Sequence, residues 1–154
     1  MQYLFIMINK ITLSYPLRII GIIMLLLGTR WVIHDEPWML DEVANVERLE
    51  MTFEKLFEPE INKTLPDYLR QIYRFFGFWV MIIGMFITSF SSYNAISNKE
   101  IGIKLFVIIG LMMSFGLYLG YTLIPSSHFI SLIWVLIIFY LISLYSFYNL
   151  ILNK

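Results

Sequence analysis

Charge-free apolar runs alternate with short polar breaks along this chain. One such run, Phe75 to Ser92, follows Arg74 and places Gly77 and Gly84 seven residues apart. An earlier block repeats its beginning: Arg18, Gly21 and Gly28 stand at the same spacing as Arg74, Gly77 and Gly84. A third run covers Leu105 to Ile124, and a fourth begins near Phe129. Runs of this length without charge are what a helix needs to cross the hydrocarbon core of a bilayer. The pattern predicts spans at about 17–34, 70–92, 104–124 and 129–152, with a polar loop over 35–69.

Pro16 is expected to open the first helix, because its missing N–H is not needed at the first helical position. That makes the first span short. Arg18 and Arg30 would lie about 18 Å apart against a core of about 30 Å. Either both arginines snorkel outwards, or Arg30 faces the bundle interior with a partner. Residues 1–13 have no basic segment before their apolar run and no small-x-small cleavage site after it. They are read as retained and lying at the membrane interface.

Asp35 to Leu65, the polar part of this loop, holds nine of the eleven acidic residues. Within it Val43, Val46, Leu49, Phe53, Leu56 and Phe57 recur at three- and four-residue steps, the stripe of one amphipathic helix that Pro59 ends. It is too charged to span. Ser97-Asn98-Lys99-Glu100 has the capping-box pattern before the third span. The four-residue connection Pro125–His128 makes spans three and four an antiparallel hairpin. The predicted fold is therefore all-α: a four-helix transmembrane bundle with an amphipathic extramembrane helix between spans one and two, in one domain.

Composition sharpens this picture. The chain is 59% hydrophobic and 14% charged, against about 45–50% and about 25% for a soluble domain. The excess apolar surface calls for a lipid solvent. Zero net charge supplies no basic field for nucleic acid. The absence of cysteine excludes dithiol redox chemistry, thiolate metal sites and disulfides. Four spans put both termini on one side, with Lys10, Arg18, Lys99, Lys104 and Lys154 against the single acid Glu100. The positive-inside rule places that side in the cytoplasm and the 35–69 loop outside.

Three features bear on chemistry. Gly21, Gly28, Gly77, Gly84, Gly116 and Gly120 keep small residues on helix faces, which is how helices associate in lipid. They serve packing within the bundle or, through Gly116-x-x-x-Gly120, a dimer seam. At the outer boundary Arg30, His34, Arg70, Arg74, Tyr118, Tyr121 and His128 either anchor helix ends or converge on an anionic head group or quinone. Two histidines, His34 and His128, fall on that face, but without the ligand number or spacing of a metal or haem site. No catalytic residue and no metal ligand are assigned. No phosphate loop, HExxH or nucleophile elbow occurs.

The run Leu17-Arg18-Ile19-Ile20-Gly21 to Gly28, the polar outer loop, and the run Arg74-Phe75-Phe76-Gly77 to Gly84 together resemble the DoxX-like group of small four-helix membrane proteins. That resemblance implies a bacterial cytoplasmic membrane and, through the group's named member, association with a quinone-linked oxidoreductase complex. Two functions are expected on these grounds. One is a non-enzymatic accessory or homo-oligomeric membrane subunit. The other is a lipid- or quinone-binding component of a redox complex, built on Arg30, His34, Arg74, Tyr118 and Tyr121.

Overall fold

The computed structural model describes residues 2–152, with side chains from residue 9 onward. Lys154 and the side chains of the first residues, on which the predicted interfacial segment 1–13 partly rests, lie outside the described residues. The helices are α1 (Gln2–Ile33), α2 (Glu42–Leu49), α3 (Phe53–Phe57), α4 (Leu65–Phe90), α5 (Tyr93–Ile96), α6 (Lys99–Leu123) and α7 (His128–Phe147). Short 3-10 turns cover Pro37–Asp41 and Glu60–Asn62, and a π turn, Tyr148–Leu152, follows α7. Among the described residues there is no strand. Helices α1, α4, α6 and α7 are each long and apolar enough to cross a membrane.

The first helix departs from expectation. It does not open at Pro16 but runs through it, and among the described residues Asn9–Ile33 is long and apolar enough to span. Twenty-five residues then give a length of about 37 Å, so the short-span problem disappears. An interior proline lacks one ladder hydrogen bond and crowds the turn before it, at a cost of about 3 kcal/mol. Neighbouring helices bond that turn here. Ser143 Oγ in α7 donates to the Leu13 carbonyl. Ser146 Oγ donates to Thr12 Oγ1 at 2.8 Å. Ser14 Oγ donates across to the Ser91 carbonyl at the end of α4. Ser14, Ser91, Ser143 and Ser146 are all buried. They form one polar layer joining three helices.

Helix α1 is the centre of the bundle. Its largest contact is with antiparallel α4, its next with antiparallel α7, and α6 rests on α7. Glycine explains the closeness of the first pair. A Cβ on Gly84 would stand 2.7 Å from the Gly21 carbonyl oxygen, and one on Gly77 would stand 2.8 Å from that of Gly28. The two backbones touch where any side chain would separate them. On α6 the small residues face the same chain: a Cβ on Gly120 would meet Ile130 at 2.9 Å, and one on Gly116 would meet Ile133 at 3.4 Å. Leu17, Ile20, Ile87, Ile109 and Phe147 belong to the apolar core between these helices. Helices α4 and α6 do not close against each other, and an apolar groove of about 390 Å³ runs between them.

The loop over 35–69 forms a cap, and here too the expected element is different. The single amphipathic helix is two short ones, α2 and α3, broken at Glu50. Glu50 takes φ 58°, ψ 20°, the left-handed position that ends a helix and that favours glycine. The stripe changes accordingly. Val43 is 71% exposed, while Ala44, Trp38 and Phe53 are buried. Trp38, Phe53 and Phe57 pack as a ring cluster with centroids 5.6–6.1 Å apart. At the other end of the molecule, Asn98 rather than Ser97 caps α6, accepting from the N–H groups of Glu100 and Ile101 at 3.1 and 3.2 Å. Ser97 instead closes α5, and Glu100 pairs with Lys104 instead of reaching back to the cap.

Two outcomes test these packing arguments. Gly84→Ala is expected to lower the thermal midpoint, at about 1–3 kcal/mol for overpacking against backbone, while Gly116→Ala leaves it unchanged or raised. Equal effects in detergent-solubilised protein would contradict the close α1–α4 contact. Glu50→Gly is expected to stabilise the cap by about 1 kcal/mol through relief of the left-handed strain, read as slower proteolysis between α2 and α3.

Candidate functional site

The richest polar cluster joins the cap to the bundle. It begins at Asp41, which closes the 3-10 turn after the buried Pro37-Trp38 pair. Its side chain is only 10% exposed. One carboxylate oxygen stands 3.0 Å from His128 Nδ1, and the other accepts from Ser127 Oγ at 2.5 Å. Ser127 is the N-cap of α7 and also accepts from the Phe129 N–H at 3.2 Å. Asp41 therefore stands at the positive end of a helix, with two side-chain donors. Asn45 donates to the Trp38 carbonyl at 2.7 Å. Tyr73 on α4 faces both Asn45 and Asp41. Beneath them Trp31 packs against Phe76 of α4 and Phe129 of α7, at centroid distances of 5.0 and 4.9 Å. Three helices and the cap meet at this point.

The residues singled out from sequence are distributed differently. Arg30 and Arg74 are exposed. His34 is half-buried, and its Nδ1 accepts from the Glu36 N–H at 3.0 Å as the chain turns out of α1. Arg70, not Arg74, bonds the loop: it donates to the Asp35 carbonyl at 2.7 Å and to Asp67 at 3.1 Å. Tyr118 and Tyr121 are 63% and 55% exposed on α6. The Tyr121 hydroxyl accepts from Trp134 of α7 at 3.0 Å. Among the described residues no hydrogen bond or ion pair joins either tyrosine to Arg30, His34 or Arg74. The two histidines likewise have separate partners. Among the described residues no three His, Asp or Glu side chains converge as metal ligands.

Sequence reasoning passed over Asp41, Asn45, Tyr73 and Ser127. Only Ser127 carried a local signal, as a serine opening an apolar helix after a proline turn. Asp41 is one acid among nine between Asp35 and Leu65, and its partner Ser127 is 86 residues away. The arrangement has the chemistry of a clamp. Ser127 bonds the carboxylate and not the histidine, so the three residues do not form a hydroxyl–imidazole–carboxylate relay.

Asp41→Ala is expected to loosen the cap at a cost of about 1.5–3 kcal/mol, the range for hydrogen bonds to a charged group. His128→Ala should cost less, because His128 is 58% exposed. The readouts are the thermal midpoint and protease sensitivity of the cap. A larger effect at His128 would mean that Asp41 is not the centre of the cluster. The chain matches no protein-family model, no curated protein and no solved structure.

Proposed function

We propose that this chain is an integral membrane protein with four spans, acting as a non-enzymatic accessory or homo-oligomeric subunit. The distribution of exposed apolar residues supports the membrane placement. Phe75, Phe78, Phe86, Ile108, Leu111, Phe115 and Ile138 face outward from the long helices, each at least half exposed. Charge is concentrated towards the two ends. The rise from Leu13 in the serine layer to Trp31 in the aromatic junction is about 27 Å, close to a hydrocarbon core of about 30 Å. Arg18 lies between those levels, with its guanidinium 5.7 Å from the Tyr15 ring centroid. Helical side chains lean towards the N-terminus, so Arg18 snorkels to the nearer face. With Lys10, Lys99 and Lys104 at that end, the positive-inside rule favours the cytoplasm for it and the outside for the cap.

The cap carries the accessory-subunit reading. Outside the apolar band it still exposes Val43 and Ile61, at 71% and 89%, among the exposed carboxylates of Glu42, Glu47, Glu54 and Glu58. Apolar side chains left in water beside acids suit a surface that docks a partner or another copy. Lipid binding is the second reading, favoured by the groove between α4 and α6. Its quinone form would require Arg30, His34 and Arg74 to meet Tyr118 and Tyr121. The DoxX-like resemblance belongs to the same proposal, as a likeness of layout.

A cysteine-free chain makes the topology directly testable. In intact cells a membrane-impermeant maleimide should label Ile61→Cys at once and Asn94→Cys only after permeabilisation. Labelling of both from one side would overturn the four-span reading. In mild detergent the native protein should migrate as a stoichiometric complex, which charge reversal at Glu47 and Glu54 dissociates. A monodisperse monomer in the untreated membrane extract would overturn the subunit reading.

A further inference from the structure

The groove between α4 and α6 differs from the helix contacts that glycines make inside the molecule. Where this chain packs helix on helix it uses small residues: Gly21 against Gly84, Gly28 against Gly77, Gly102 against Phe147, Gly120 against Ile130. The groove has none. Phe86 and Phe90 form one wall, Ile101 and Ile108 the other, and Ile87 and Ile109 the floor. A partner helix would be held off by such bulky walls, since close backbone approach is what joins helices in lipid. A flexible chain would lie between them.

Length and charge narrow the occupant. On α6 the groove extends from Ile101 to Met112, a rise of about 16 Å. That is about half of a 30 Å hydrocarbon core, so the groove belongs to a single leaflet. It lies at the end of the bundle where the chain carries Lys10, Lys99 and Lys104. Lys104 itself lines it. The Lys104 ammonium pairs with Glu100 at 2.5 Å, but both side chains are more than two-thirds exposed. Such a surface pair is weak and gives way to a better anion. Basic groups between spanning helices at the cytoplasmic face are suited to anionic head groups.

The geometry points to a bound anionic phospholipid of the leaflet nearest the termini, with one acyl chain in the α4–α6 groove and its phosphate on Lys104. The inference rests on the membrane placement proposed above. The volume of about 390 Å³ is within the usual range of ligand pockets, about 300–1,000 Å³. The floor residues Ile87 and Ile109 are 4% and 1% exposed, so the groove reaches down to the core between exposed walls.

The test is native mass spectrometry of delipidated full-length protein, titrated with phosphatidylglycerol or phosphatidylcholine in detergent micelles. One phosphatidylglycerol per chain should bind about fivefold or more tightly than phosphatidylcholine. Lys104→Gln should remove that preference. Ile108→Trp, at an exposed wall position, should fill the groove and reduce binding of both lipids without disturbing the core. Lys99→Gln, on the same helix but outside the groove, should leave the preference intact. Equal binding of the two lipids by the native chain would overturn the assignment. So would a preference that survives Lys104→Gln and Ile108→Trp, or one lost equally in Lys99→Gln. The maleimide pattern keeps the two proposals separable: correct labelling without lipid preference defeats the groove site alone, whereas one-sided labelling defeats the membrane placement beneath it.

Discussion

Backbone contact between α1 and α4 is the constraint on which the architecture depends. Between helices in a lipid solvent there is little hydrophobic drive, so association has to come from close van der Waals approach and from polar bonds. Glycines at 21, 28, 77 and 84 supply the first by letting carbonyl oxygens of one helix reach the other's Cα positions. Once α1 and α4 are joined along this seam, the remaining arrangement follows. The far side of α1 receives α7, α6 rests on α7, and a groove stays open between α4 and α6.

Polar groups close the two ends of the bundle in different ways. At one end, serine hydroxyls bond backbone carbonyls across three helices, at the turn that Pro16 disturbs. At the other, a buried carboxylate draws the cap onto the start of α7, over the ring contacts of Trp31. In the membrane setting proposed above, each serine bond between helices contributes only about 0.6 kcal/mol on average. Their value lies in position: they fix the axial register of helices whose apolar surfaces alone would slide past one another.

The sequence made the long helices legible because apolar runs between polar breaks are a one-dimensional signal. The glycine spacing was legible for the same reason, although not which glycine would face which. Pro16 misled, because the helix continues through it, and the serines that bond the preceding turn, Ser143 and Ser146, stand far along the chain on α7. The cap misled through its period. A regular stripe from Val43 to Phe57 says one helix, but a left-handed turn at Glu50 divides it, and the first half buries Ala44 rather than Val43. The candidate site was the least legible part. Arginines, tyrosines and histidines near one boundary share a depth, and depth says nothing about angular position around a bundle. Asp41, Asn45, Tyr73 and Ser127 come together only in three dimensions.

Ser143 and Leu13 are 130 residues apart, which gives the molecule an unusual biosynthetic order. Helix α1 leaves the ribosome well before α7, with a proline-weakened turn already inside it. The hydroxyls that bond this turn arrive with α7. Until then α1 leans on α4, with smaller contacts to α5 and the Pro37–Asp41 turn. The turn before Pro16 is thus completed only when α7 arrives, and a chain stalled before α7 lacks the bond from Ser143 to the Leu13 carbonyl.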